Sequence, residues 1–181
     1  MTEYLSKHFT LEELVASDTA KAKKISNLPT EVHKKVLKHT CEYLLEPLRT
    51  LLNEKYKTYC RKNVKKAYVH INSGYRSEAL NRVIPGSSKT SGHCKGEAVD
   101  LKVIIMFEDG TKKDLPYTDL YESIKAWVKA GKISVDQCIQ ERNKAGATWV
   151  HASHSASGKT KDRKQFLKYN GSTYALDTWL K

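Results

Sequence analysis

The chain has 181 residues, which suits one domain with its own hydrophobic core, and its 39% hydrophobic and 29% charged composition fits a compact fold with a wet surface. No run of about 18 apolar residues exists, which excludes a membrane-spanning helix, and MTEYLSKHFT lacks the apolar core and cleavage site of a secretory signal, so synthesis in a cytoplasm is expected. A formal net charge of +12 draws the protein towards polyanions such as nucleic acid, anionic head groups or acidic wall polymer, but its lysines are scattered over a solvated surface and mark no groove.

Thr10 followed by Glu13 forms a capping box for a short helix, with Leu11, Leu14 and Val15 on its apolar face. DTAKAKKISNLP reads as a loop closed by Pro29. From Thr30 a long amphipathic pattern (Val32, Val36, Leu37, Leu44, Leu45, Leu48, Leu51, Leu52) predicts a helix that Pro47 kinks or restarts. In KKAYVHINSGYRS the period changes to two, predicting a strand about 6 residues long. Ser77 caps a short helix, EALNRV, and IPGSSKTSGHCKG has the Gly, Ser and Pro density of a loop. EAVDLKVII is a strand, FEDGTKKDLP carries an Asp-Gly turn, and TDLYESIKAWVKAG is a helix ended by Gly131. SVDQCIQE and TWVHAS read as two strands around the hairpin loop RNKAGA; the remainder is polar and less regular, with an aromatic tail, YALDTWLK. The expected class is α+β, with N-terminal helices packed on a mostly antiparallel sheet in a single domain over 1–181 whose core motifs lie in 66–154.

Seven histidines and four separate cysteines carry the candidate chemistry. No CxxC pair occurs, and with no export signal the cysteines are expected as free thiols. His8, His33 and His39 lie in helical sequence as surface or boundary residues, and His70 reads as a satisfied sheet histidine. His93, His151 and His154 remain. Asp100 falls within the apolar run AVDLKV, where a buried carboxylate is costly unless it is paired or coordinates a metal. His151 sits mid-strand in WVHAS. Two imidazoles and one carboxylate can make an open tetrahedral zinc site; they can equally make a polar cluster bonded internally without metal.

SGYRSEALNRV, GSSKTSGHCKGEAVDL, DQCIQE and WVHAS, in that order, resemble the zinc D-Ala-D-Ala carboxypeptidase-like murein peptidases, the peptidase M15 family. The opening LSKHFTLEELVASDTA is similar to the start of that family's phage and Bacteroidetes branch, so the resemblance covers most of residues 4–154. It implies the hedgehog/D-Ala-D-Ala peptidase-like fold with one Zn2+ held by His93, Asp100 and His151. Some branches place the base three positions before the last ligand; Thr148 stands there, so that assignment fails. The hedgehog-like arrangement puts the acid at the end of the preceding strand, which here is Glu141. The hairpin is longer than usual by about four residues, an even number that keeps side chains facing the same way. Arg76 matches the arginine that stabilises the oxyanion or holds a substrate carboxylate, and Ser91 is a further candidate for carboxylate binding. Gly96 serves the turn into the strand.

The function so implied is hydrolysis of a bond in peptidoglycan stem peptides by a monomeric enzyme, as a carboxypeptidase or an endopeptidase, for example a phage endolysin reaching the wall after holin- or lysis-dependent release. The competing reading is a zinc-containing wall- or protein-binding module without catalysis. No nucleic-acid-binding motif is present, so specific nucleic-acid binding is not expected.

Overall fold

The computed structural model describes residues 2–156 and 161–177. Helix α1, Leu11–Val15, begins at the capping box, in which Thr10 accepts from Glu13 N and the Glu13 side chain returns to Thr10 N. A second short helix, α2 at Asp18–Lys23, stands where the sequence suggested a loop. Ser17 caps its start by accepting from Ala20 N, and Lys24 ends it in the left-handed conformation. Local capping thus outweighs the helix's lack of an apolar stripe.

The long amphipathic segment is α3, Glu31–Thr40, a π-helical turn at Cys41–Leu45, and α4, Glu46–Lys55. Pro47 falls at the start of α4, where it has no amide hydrogen to donate to a carbonyl of the preceding turn. The wider turn just before it absorbs the interruption, so the helix continues. Leu37, Leu44, Leu45, Leu48 and Leu52 are wholly buried.

The sheet is mixed and mostly antiparallel, which with the helices makes the fold α+β. It contains β1 (Thr58–Tyr59), β2 (Lys62–Ser73), β3 (Ala98–Phe107), β4 (Lys112–Asp114), β5 (Gln137–Arg142), β6 (Thr148–Ser153), β7 (Gln165–Tyr169) and β8 (Tyr174–Leu176). The order is β1-β2-β3-β6-β5-β7-β8, with β4 beside β3. β2 is twice its expected length: its lysine-rich first half extends to pair with the end of β3, Val64 opposite Phe107 and Lys66 opposite Met106. β7 corrects the reading of the C-terminal part as irregular, and it pairs with β5 in parallel, Glu141 beside Tyr169. The last four residues of the aromatic tail lie outside the described residues.

Three further helices complete the chain: α5 (Glu78–Val83, capped by Ser77), α6 (Gly92–Lys95) and α7 (Tyr117–Lys129). One sheet face, with Val99, Leu101, Val103, Ile105, Cys138, Val150 and Ala152, packs on leucines of the long helix and on Leu120, Tyr121 and Ile124 of α7. No helix among the described residues is long and apolar enough to cross a membrane. All four cysteines are free, as expected. His70 lies in the sheet, on β2 opposite Lys102, and its side chain is exposed.

Candidate metal centre

Strand register brings the site together on the sheet face opposite the one packed on the long helix and α7. Asp100 pairs with His151, His151 with Ile139, and Glu141 with Trp149. Directly paired residues, and residues two apart, share a face. Asp100, His151, Glu141 and Trp149 therefore project to the same side. Even pairing through Arg142 and Thr148 makes this hold despite the longer hairpin, and Thr148 itself points the other way.

His93 arrives from α6, a single turn inside the expected loop. Ser91 caps the turn by accepting from His93 N at 3.3 Å. Gly96 closes it with φ +81°, and a Cβ there would lie 3.1 Å from Leu37 Cγ and 3.3 Å from the His33 carbonyl. The His93 ring is buried, and its Nδ1 donates to the Gly74 carbonyl at 2.7 Å. That bond fixes the tautomer and leaves a lone pair on Nε2.

The Nε2 lone pair faces Asp100 Oδ1 and His151 Nδ1, each 3.3 Å away, and those two atoms are 2.9 Å apart. Ligands at about 2.0–2.1 Å from a tetrahedral zinc lie about 3.3–3.4 Å from one another, so two sides of the triangle already have the spacing of zinc ligands and the third, at 2.9 Å, has only to open slightly. Burial disfavours a charge on His93 and lowers its pKa. Burial also opposes ionisation of Asp100, yet the hydrogen bond from His151 Nδ1 helps to hold its carboxyl far below the ordinary range. A neutral imidazole lone pair therefore confronts a carboxylate oxygen inside the protein. A single proton on His151 Nδ1 would have to serve both acceptors, whereas a divalent cation serves all three donor atoms at once. The residues fit a zinc ion.

Arg76 braces this arrangement. Its Nη2 donates to Asp100 Oδ2 at 2.5 Å, its Nε to Ser73 Oγ at 2.9 Å, and its backbone N–H to the His93 carbonyl at 3.2 Å. It lines the cleft with the ligands, as does Ser91. Glu141 is largely withdrawn from water, and burial pushes its carboxyl pKa up; His151 and Arg76 act in the opposite direction. Trp149 Nε1 is buried alongside it without completing a hydrogen bond of good geometry. A carboxyl held towards its neutral form by burial, near His151, suits proton transfer.

The third remaining histidine, His154, does not join the triad. Its Nδ1 contacts Asp162 Oδ2 at 2.7 Å and its ring stacks on His39 at 5.2 Å. Cys94, beside His93 in the sequence, is also outside the group of donor atoms. Sequence reasoning missed the Gly74 carbonyl, which no residue type can advertise, and the tyrosines of β7 and β8. The alternation in QFLKY, with Phe166 inward, was the available signal for β7.

The cleft over this face has a volume of about 1630 Å3, and His93, Asp100, His151, Arg76, Ser91, Glu141 and Trp149 are among its lining residues. A family model described as Peptidase M15 matches residues 7–112. Neither the curated proteins nor the solved structures contain a match to the chain. The matched span holds His93, Asp100, Arg76 and Ser91, while Glu141 and His151 follow it.

Proposed function

Because the chain belongs to the peptidase M15 family, we propose that it is a zinc-dependent peptidase that hydrolyses a bond in peptidoglycan stem peptides. The observation that carries this reading is the triangle of His93 Nε2, Asp100 Oδ1 and His151 Nδ1, close enough together to share one metal ion, with Glu141 on the same sheet face.

Bound there, zinc would supply a Lewis acid that polarises the scissile carbonyl and acidifies water. His93 is presented by its bond to Gly74, and Asp100 is held by Arg76 through the oxygen that the triangle does not use. Glu141 takes a proton from the attacking water and returns it to the leaving amine. Arg76 commits Nε and one Nη2 hydrogen to Ser73 and Asp100, and its other guanidinium hydrogens are left to meet the developing oxyanion or a substrate carboxylate. The Ser91 hydroxyl accepts from His93 N and retains its own hydrogen for a substrate carboxylate.

The substrate reading places a monomeric enzyme at the cell wall after holin- or lysis-dependent release, with its net charge of +12 favouring approach to an anionic polymer. The test measures metal content, then incubates purified sacculi with wild type and Glu141→Gln and identifies fragments by mass spectrometry. One zinc per chain, with peptides released by wild type alone, is the expected result. Zinc retained without cleavage would replace the peptidase by a non-catalytic module, and protein that takes up no zinc and releases nothing would end both readings.

A further inference from the structure

The active face continues past Glu141. Tyr169 is the parallel partner of Glu141, and Tyr174 is the antiparallel partner of Tyr169. Trp149, Glu141, Tyr169 and Tyr174 thus form one row across four strands. The two tyrosine rings stack with centroids 4.4 Å apart and an interplanar angle of 28°. Both line the cleft, and Tyr174 is 57% exposed. Burial, followed by the charge of Glu141, pushes the Tyr174 hydroxyl pKa up, which agrees with a position facing the base. Beside them the hairpin loop 143–147 meets the 170–173 turn so closely that a Cβ on Gly171 would lie 3.2 Å from the Arg142 carbonyl. Asn143, Lys144 and Ser172 form the wall there.

This geometry gives the cleft a direction. Arg76 grips Asp100 at the β2–β3 side of the triad, whereas Glu141 stands on β5 at the other. Hydrolysis adds the hydroxyl of water to the acyl carbon and its proton to the amine nitrogen, and the group that delivers the proton must face that nitrogen. The leaving amine therefore lies towards Glu141, and whatever follows it in the substrate passes over Tyr169 and Tyr174. Two strand spacings separate β5 from β8, roughly 9–10 Å, which is the length of about three extended residues. A peptide ending one residue after the cut would leave most of that distance empty. The cleft volume of about 1630 Å3 also exceeds the roughly 300–1,000 Å3 usual for small-molecule pockets.

We propose that Tyr169 and Tyr174 form a leaving-side subsite for a peptide that continues beyond the cleaved bond, so that the enzyme acts as an endopeptidase. The proposal rests on the peptidase reading above. Tyr174, exposed on the last described strand, determines specificity without entering the chemistry.

The test uses two synthetic stem-peptide fragments with the same acyl side, around whichever bond wild type cuts in sacculi. One ends a single residue after the bond, and the other continues for two more. Wild type is expected to cleave the longer one with kcat/KM about tenfold higher, through KM. Tyr174→Ala should erase that preference, leaving the short substrate within twofold of wild type, and Tyr174→Phe, which keeps the ring, should retain it. Zinc content and Tm, measured in parallel, confirm intact protein. Equal rates on the two peptides in wild type, or a preference that survives Tyr174→Ala, would overturn the subsite while leaving the peptidase intact. Wild type that neither cleaves nor, by calorimetry, binds any stem peptide would remove the peptidase reading, and the subsite with it.

Discussion

Replacing Gly74 by alanine tests whether the backbone that orients His93 is as tightly fixed as the structure implies. A Cβ on residue 74 would lie 2.3 Å from the Leu14 carbonyl oxygen, 2.9 Å from Leu14 Cδ1 and 3.0 Å from Leu14 C. Two of those atoms are backbone, so no rotamer change relieves the contact. Restoring a normal separation requires a movement of about 1 Å between α1 and the end of β2, with an overpacking cost of about 1–3 kcal/mol. The same movement strains the 2.7 Å bond from Tyr75 N to the Leu14 carbonyl, adding about 1 kcal/mol. Urea unfolding of the metal-free protein should therefore show a loss of about 2–4 kcal/mol. The displaced Gly74 carbonyl also releases His93 Nδ1, and weakening such a support costs roughly 10–100-fold in metal affinity. Competition titration with a chromogenic chelator measures that second effect. Gly110→Ala is the control: its φ is +81° but nothing lies within 4 Å of the added Cβ, so only the conformational cost of about 1–2 kcal/mol applies and zinc affinity stays unchanged. Gly74→Ala protein with wild-type stability and zinc affinity would refute the reasoning.

His93→Ala should abolish stoichiometric zinc and peptide release together; activity surviving the change would remove His93 from the ligand set. In Arg76→Lys, the charge remains but the fork to Ser73 and Asp100 is lost, so zinc affinity should fall about tenfold and kcat/KM with it, and an unchanged zinc titration would contradict the bracing role. Burial opposes the charge on Glu46, but the His8 ring and backbone N–H and the Ser6 hydroxyl outweigh it and hold its carboxyl below the ordinary value. Because the folded-state pKa is depressed, Glu46 stabilises the fold above the unfolded-state value near 4.5, and this contribution is lost as pH falls through the lower folded value. The acid limb of a stability-versus-pH curve should flatten in Glu46→Gln, and parallel limbs for the two proteins would count against the assignment.

Much of the candidate site was legible because it breaks local rules. Asp100 interrupts an apolar strand, and His151 sits mid-strand between bulky neighbours; both stand out against their own sequence. The facing of Glu141 followed from the period-two alternation of a hairpin, without any knowledge of the loop conformation. What escaped was non-local or carried by the backbone. β7 gains its place from parallel pairing with β5 across an intervening stretch of chain, and five residues of mixed polarity cannot announce that partner. α2 rests on the Ser17 cap and a left-handed Lys24, features that its lysine-rich composition conceals. The lysines of β2 suggested a strand half as long, because only the pairing with β3 gives them a ladder to join.

The π turn at Cys41–Leu45 sets the phase between two helical surfaces. A π turn accommodates one residue more than an α turn, so everything after it is rotated by about 100° relative to an unbroken helix. Before the turn, Leu37 and Thr40 face the segment that presents His93: Thr40 Oγ1 donates to the Gly96 carbonyl at 2.8 Å, and Leu37 closes over Gly96. After it, Leu48 and Leu52 face the sheet core, and Asn53 exchanges hydrogen bonds with Ala67 of β2. One continuous rod thus addresses the turn that carries His93 and the strand leading to Arg76 at two different azimuths, and the single extra residue acts as a fixed gear offset between the two halves of the candidate metal centre.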